Sequence, residues 1–277
     1  MADETTYHRA DGADSANEVR KTVSAGVAAG AGKPAAAANA CGGLTSFTLK
    51  VLAIVGMTCN HACYIFWYHL PEPLLCGLFL FGGLTFPIMA FLLVEGYRHT
   101  SNVRRYGQRL LAFALVSQVP YGLFLAHQPN VMFTLFAGLV VLYLYDHLHN
   151  RGLFWLAFAG ILLATAWCDW GILGPCMVLV LRVTADRWRG PAYSALLPIA
   201  GSGLPALSQF AAVPTLGNLA FVLYPLVGCT ATIPLLASYN GKRGQPMKWF
   251  FYAYYPAHIA VLGLAKGLLL GDWSLGY

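Results

Sequence analysis

Of the 277 residues in this chain, 58% are apolar and only 10% charged, and the formal net charge is +6. Soluble proteins run nearer roughly 45–50% and 25%. The apolar residues come in long blocks and not at amphipathic spacing, which excludes a soluble globular protein and predicts an all-α, polytopic integral membrane bundle.

Residues 1–43 stand apart. They are rich in Ala, Gly, Ser and acidic residues with scattered charges. Such a stretch cannot bury enough apolar surface to offset its ordering entropy, so it is predicted to be a disordered tail. It has no charged start followed by an apolar core and a cleavage site, so the first span is expected to act as the uncleaved targeting signal. The remainder, 44–277, reads as one transmembrane domain. Apolar blocks place about nine transmembrane helices near 47–68, 74–96, 109–126, 131–148, 153–168, 171–184, 191–212, 215–237 and 249–270. With the tail inside, every one of the 17 Lys and Arg residues except Lys266 falls on the inner side. Bias of that strength predicts a cytoplasmic N-terminus by the positive-inside rule.

The first span carries Lys50 and His61. Eleven residues at about 100° each make three turns plus roughly 20°, so the two side chains share a face, about 16 Å apart along the axis. Lys50 is expected near the inner surface and His61 near the middle of the apolar layer. An ionisable imidazole at that depth is expensive to keep and marks a functional site. Burial disfavours the imidazolium, which leaves the ring neutral and able to act as a base.

Glu95 closes the second span three residues before Arg98, a spacing that suits an ion pair as well as a substrate contact. The connection from Arg98 through Arg104 and Arg105 to Arg109 puts four arginines on a short inner loop. They could hold a phosphorylated ligand by charge-assisted, partly bidentate bonds, or simply mark topology and meet anionic lipid. Gln118 and Asn130 are amides that most simply hold helices together. Asp169 lies on an outer connection between Trp167 and Trp170, two aromatics expected to anchor spans at the interface. Lys242 and Arg243 sit on the last inner loop. His258, in Tyr254-Tyr255-Pro256-Ala257-His258, is the second intramembrane imidazole, with Tyr252, Tyr254 and Tyr255 as hydroxyl partners. Pro256 frees a backbone carbonyl that a buried histidine can also satisfy.

Other chemistries lack support. The seven cysteines are odd in number, form no CxxC and lie mostly in apolar blocks, so they are expected to pack; no spacing fits a metal site. No basic face with interleaved aromatics suggests nucleic acid. The glycines match no phosphate loop and are expected to serve helix packing.

Several segments, in order, resemble the TraX family: Lys50 to Asn60-His61, Phe86-Pro-Ile to Glu95-Gly-Tyr-Arg-His-Thr100, Arg109 to Ser117-Gln-Val-Pro120, Asn130-Val-Met-Phe-Thr134, and Tyr239-Asn-Gly-Lys-Arg-Gly244 followed by Tyr255-Pro-Ala-His258. The named member of that family N-acetylates a conjugative pilin. The family also looks related to the transmembrane acyltransferases, in which a basic residue about ten positions before a first-span histidine recurs. One position departs: many members have Asp where this chain has Asn60.

The resemblance implies an integral membrane acetyltransferase of the bacterial cytoplasmic membrane. Its donor substrate is cytoplasmic acetyl-CoA, with no metal expected. The acceptor is an amine or hydroxyl at or beyond the membrane, such as a pilin N-terminus or a glycan. His61 and His258 are the expected catalytic residues. Lys50, Arg98, Arg104, Arg105, Arg109, Lys242 and Arg243 are expected to hold coenzyme A phosphates. Glu95, Asn60, Asn130, Asp169 and Tyr255 are expected to contact or orient substrate. Two other readings compete: a proton-coupled small-molecule transporter, which broken spans and intramembrane His and Glu would suit, and a non-catalytic membrane partner in pilus assembly.

Overall fold

The computed structural model describes residues 42–274. The predicted tail therefore lies outside the described residues except for Gly42 and Gly43, and with it Arg9, Arg20, Lys21, Lys33 and Cys41.

The described residues contain helices and no strand, apart from one isolated bridge between Leu44 and Tyr239. In chain order the helices are α1 (Ser46–Ile65), α2 (Glu72–Gly82), α3 (Thr85–His99), α4 (Val103–Phe124), α5 (Val131–His147), α6 (Arg151–Thr165), α7 (Leu173–Val183), α8 (Arg189–Pro198), α9 (Leu204–Ala212), α10 (Leu216–Leu223), α11 (Thr230–Ala237) and α12 (Lys248–Leu270). Their starts follow local chemistry. Thr45, Asn102, Asn130, Asn150 and Thr215 each accept a hydrogen bond from a backbone N–H of the first turn that follows.

Every interval predicted as a span is largely helical, but among the described residues five stretches are long and apolar enough to cross a membrane: Ser46–Ile65, Glu72–His99, Arg189–Ala212, Leu216–Ala237 and Trp249–Leu270. The 11 residues of α7 rise only about 16 Å, well short of a hydrocarbon core about 30 Å thick. Helix α4 has 22 residues but carries Arg104, Arg105 and Arg109 in its first two turns. The described residues form an all-helical bundle with the lengths and apolar composition of a membrane protein.

Helices α1 and α12 run side by side in the same direction. Phe47 meets Phe251 edge to face, the Thr58 and Tyr254 hydroxyls lie 2.8 Å apart, and His61 meets His258. The main core forms where α1, α3, α4, α5, α7 and α12 converge, on Met57, Phe86, Leu93, Leu139, Met177 and Ile259. At one end of the bundle, residues 238–243 lie across the start of α1. Leu44 N–H donates to Ser238 O, and the N–H groups of Ser46 and Phe47 donate to the carbonyls of Lys242 and Arg243. First-turn N–H groups have no partner within their own helix, so this strap completes α1. Gly241 and Gly244 adopt φ of +75° and +69°, and a Cβ at Gly244 would come within 2.8 Å of Phe47 Cβ. The sequence Asn240-Gly-Lys-Arg-Gly244 is thereby explained as the strap's backbone.

Two π-helical stretches interrupt the later helices, Ile199–Gly203 between α8 and α9 and Tyr224–Cys229 between α10 and α11. Gly228 allows the second to press on the turn after α2: a Cβ there would lie 2.6 Å from Leu80 O and 2.8 Å from Gly83 Cα. This is the close backbone approach that small residues permit between membrane helices. Leu156, Leu163 and Leu269 are among the large apolar side chains left exposed, as a lipid-facing surface requires.

Candidate functional site

The two histidines predicted from separate spans are in direct contact. His61 Nδ1 lies 2.7 Å from His258 Nε2, with the rings nearly parallel, and both residues are buried. His258 Nδ1 lies 2.8 Å from the Tyr254 carbonyl oxygen. A carbonyl can only accept, so the His258 proton is on Nδ1 and its Nε2 carries a lone pair. His61 must then donate from Nδ1. In the neutral pair this fixes a lone pair on His61 Nε2, which has no hydrogen-bond partner among the described residues. The carbonyl used belongs to Tyr254, four residues back on the same helix, and not to Tyr252, whose carbonyl Pro256 releases. Tyr254 also stacks on His258, with centroids 5.0 Å apart, and its hydroxyl ties to Thr58.

His61 lies about one turn before the end of α1 and not at its centre, because the chain leaves the helix after Ile65. There it borders a cavity of about 300 Å³ that also takes in Asn60, Tyr121, Asp169, Trp170 and Tyr224. Asn60 Oδ1 is buried with no partner among the described residues, and Asn60 Cβ is held against Gly82. Tyr255 packs behind the pair, its ring 6.0 Å from that of His61 and edge-on to it.

Asp169 enters this cavity from the connection between α6 and α7. Its backbone is pinned on both sides: its N–H donates to Pro129 O at 2.9 Å, and its carbonyl accepts from Thr134 Oγ1. Burial pushes the carboxyl up to about 6, against hydrogen bonds from the Trp170 N–H and the Tyr121 hydroxyl that pull it down. Trp170 follows with φ +64°, a left-handed conformation that is strained for a bulky residue. Its indole stacks on Phe86 at 4.3 Å. The expectation that both tryptophans flanking Asp169 anchor the interface is corrected here: Trp167 is exposed, but Trp170 packs inward and lines the cavity. The π-helical stretches matter at the same place, since Ser202 and Tyr224 reach the cavity from them.

The other predicted residues lie elsewhere. Asn130 caps α5 through Met132 N–H and donates to Ala114 O and Gln118 Oε1, so its side chain is fully used in joining α4 to α5. Glu95 pairs with Arg98 at 2.8 Å and borders a separate cavity of about 150 Å³ with Arg187. Lys50 is half-buried, its Nζ 5.3 Å from the Phe251 ring centroid, and it lies within electrostatic reach of Arg243. Lys242 and Arg243 are exposed on the strap, and Arg104 and Arg105 are exposed at the start of α4. Arg109 is half-buried over the Tyr106 ring, on the face of α4 that packs against α12. Thus Lys50, Lys242 and Arg243 gather at the end of α1 opposite His61, while Arg98 and Glu95 form a group of their own. Sequence reading passed over Tyr64, Tyr121, Gln128 and Tyr224, whose only signal was aromatic or amide character inside apolar blocks.

Comparison with known proteins places these residues in context. The family model of the TraX protein matches residues 46–266. The probable fimbrial assembly protein FimC, serogroup H1, of Dichelobacter nodosus is 32% identical over 242 residues, covering 81% of this chain and 97% of that protein. No solved structure matches.

Proposed function

The chain belongs to the TraX family, and on that premise we propose that it is an integral membrane acetyltransferase serving pilus or fimbrial assembly. It would cross the bacterial cytoplasmic membrane about nine times with its N-terminus inside, the short α7 making its crossing within the bundle, where more than half of its residues are buried. The observation that carries the reading is the hydrogen-bond chain Tyr254 O, His258, His61, which leaves a single lone pair on His61 Nε2 beside a cavity.

In the proposed reaction the acceptor nitrogen or oxygen attacks the acetyl carbonyl of acetyl-CoA. His61 Nε2 takes the proton that the acceptor loses. The tetrahedral intermediate then expels the coenzyme A sulfur, which receives that proton, so an amide or ester and free thiol are the products. His258 is a positioning residue: it fixes the His61 tautomer and accepts hydrogen-bond density from the imidazolium that forms. Lys50, Lys242 and Arg243 would hold the donor's phosphates at the inner end. Lys50 and His61 are about 16 Å apart along α1, roughly the reach of an extended pantetheine arm. The acceptor would enter from the end where the 126–130 and 166–172 connections meet.

A second reading has one observation in its favour: the fimbrial relative is named for assembly and not for catalysis. A non-catalytic partner in pilus assembly would suit that name. Purified protein given labelled acetyl-CoA and a pilin-derived peptide separates the two. Label transfer that falls at least about 100-fold in His61→Gln supports the enzyme. Absence of transfer and of donor hydrolysis under all acceptors supports the assembly partner.

A further inference from the structure

A carboxylate held inside a membrane protein needs a counter-charge, a proton or strong donors, because burying it alone is costly. Asp169 has two donors, the Trp170 N–H and the Tyr121 hydroxyl. Among the described residues no Lys, Arg or His forms an ion pair with it. The groups within electrostatic reach are instead phenols: Tyr64 from α1, Tyr121 from α4, Tyr224 from the π-helical stretch and Tyr255 from α12. The carboxylate therefore faces a cavity walled by aromatic rings, and its backbone is locked there by the strained Trp170 and by bonds to Pro129 and Thr134. Strain of this kind persists only where the surrounding structure enforces it.

We infer that this cavity is a cation subsite, in which Asp169 is the counter-ion for a primary ammonium group surrounded by Tyr64, Tyr121, Trp170 and Tyr224. Aromatic faces attract an organic cation and exclude water from it, while a hard metal ion would need more oxygen ligands than one carboxylate and a few phenols supply. The volume of about 300 Å³ admits a single side-chain-sized amine and not an oligosaccharide. The inference deepens the transferase reading and rests on it only for what the bound amine is for: the ammonium site selects nitrogen over oxygen acceptors, the bound ammonium passing one proton to the Asp169 carboxylate before its nitrogen attacks and a second to His61 Nε2 on the same cavity.

The test is a binding measurement on the full chain in nanodiscs with no donor present. The probes are 2-phenylethylammonium and its uncharged counterpart 2-phenylethanol, read by quenching of tryptophan fluorescence and by calorimetry. The amine should bind the wild type and lose roughly 10- to 100-fold in affinity in Asp169→Asn, whose amide keeps the shape and the acceptor for Tyr121. The alcohol should bind both proteins equally. Amine binding to the wild type should also weaken as pH falls through about 6, as the carboxyl takes a proton. In Asp169→Asn this pH dependence should be lost or much reduced, His61 being the one other cavity residue among the described lining with a basic nitrogen. Equal affinity of the amine for wild type and Asp169→Asn, or equal affinity of amine and alcohol for the wild type, overturns the inference. Because no acetyl-CoA is used, a protein that proves non-catalytic still reports on this site. Conversely, acetyl transfer to an amine acceptor at the same rate in wild type and Asp169→Asn would leave the transferase standing and remove the ammonium site.

Discussion

At the scale of single residues, the histidine pair divides labour that sequence alone assigned to both as catalysis. His258 Nε2 accepts from His61 Nδ1 and so has no lone pair left for substrate; in the proposed reaction it would act through its neighbour. Replacing His258 by Phe should remove the acceptor and let the His61 proton move to Nε2. We expect acetyl transfer to fall about 10²-fold or more, within the range a general base supplies. His258→Gln should recover part of it, since the amide oxygen can accept from Nδ1–H. Nitrogen-15 NMR of labelled histidine gives a readout that simple loss of packing would not move: the His61 tautomer shifts in the Phe variant and returns in the Gln variant. An unchanged tautomer in His258→Phe would sink the positioning role.

At the scale of elements, the strap and the α1–α12 seam determine what the residues can reach. Helices in lipid gain little from the hydrophobic effect against one another, so packing and interhelical hydrogen bonds must hold the seam. Thr58→Val removes the bond to Tyr254, and unfolding of the purified protein should show a loss of about 0.6–2 kcal/mol. The strap is more sensitive. Gly244 combines φ +69° with a site where a Cβ would strike Phe47, so Gly244→Ala should cost about 1–3 kcal/mol. Because the strap also carries Lys242 and Arg243 to the Lys50 end of α1, the same variant should weaken coenzyme A binding in a calorimetric titration. Gly160, with nothing within contact range of a Cβ, is the control: Gly160→Ala should leave both properties unchanged. Equal behaviour of the two alanine variants would show that the strap is not a constraint.

For the whole molecule, charge and connectivity make a joint prediction. Two sets of connections separate in space. Residues 238–243 lie on the start of α1, and Arg182 pairs with Asp146 near the same end; Pro129 bonds Asp169, and Trp67 stacks on Phe221 toward the other. If the basic end is cytoplasmic, single cysteines at 104 and 243 should react with an impermeant reagent only after the membrane is opened, in a background free of the native cysteines. Cysteines at 127 and 213 should react in intact cells. Reversed labelling would overturn the orientation, and with it the side from which donor and acceptor are proposed to arrive. Donor affinity should also fall as salt rises if Lys50, Lys242 and Arg243 hold phosphates, because exposed charges are screened. Affinity that ignores salt would leave these residues as topological markers.

What the sequence by itself determined was what depends on composition and local periodicity. Long apolar blocks specify helices in a membrane because every backbone polar group must be satisfied within its own segment. Helical spacing set Lys50 and His61 on one face, and the order of motifs from Lys50 to His258 carried the family resemblance. Tertiary structure decided which polar groups meet. His61 and His258 are 197 residues apart and bond only because α1 and α12 run parallel at the same height. Asn130 resembled a site residue in sequence but is consumed by α4, while Trp170 resembled an interfacial anchor but turns inward beside Asp169. The π-helical stretches that bring Ser202 and Tyr224 to the cavity leave no periodic mark in the sequence. Contacts between distant helices depend on interhelical geometry, and a pattern of apolar residues constrains which face is polar without fixing which partner it finds.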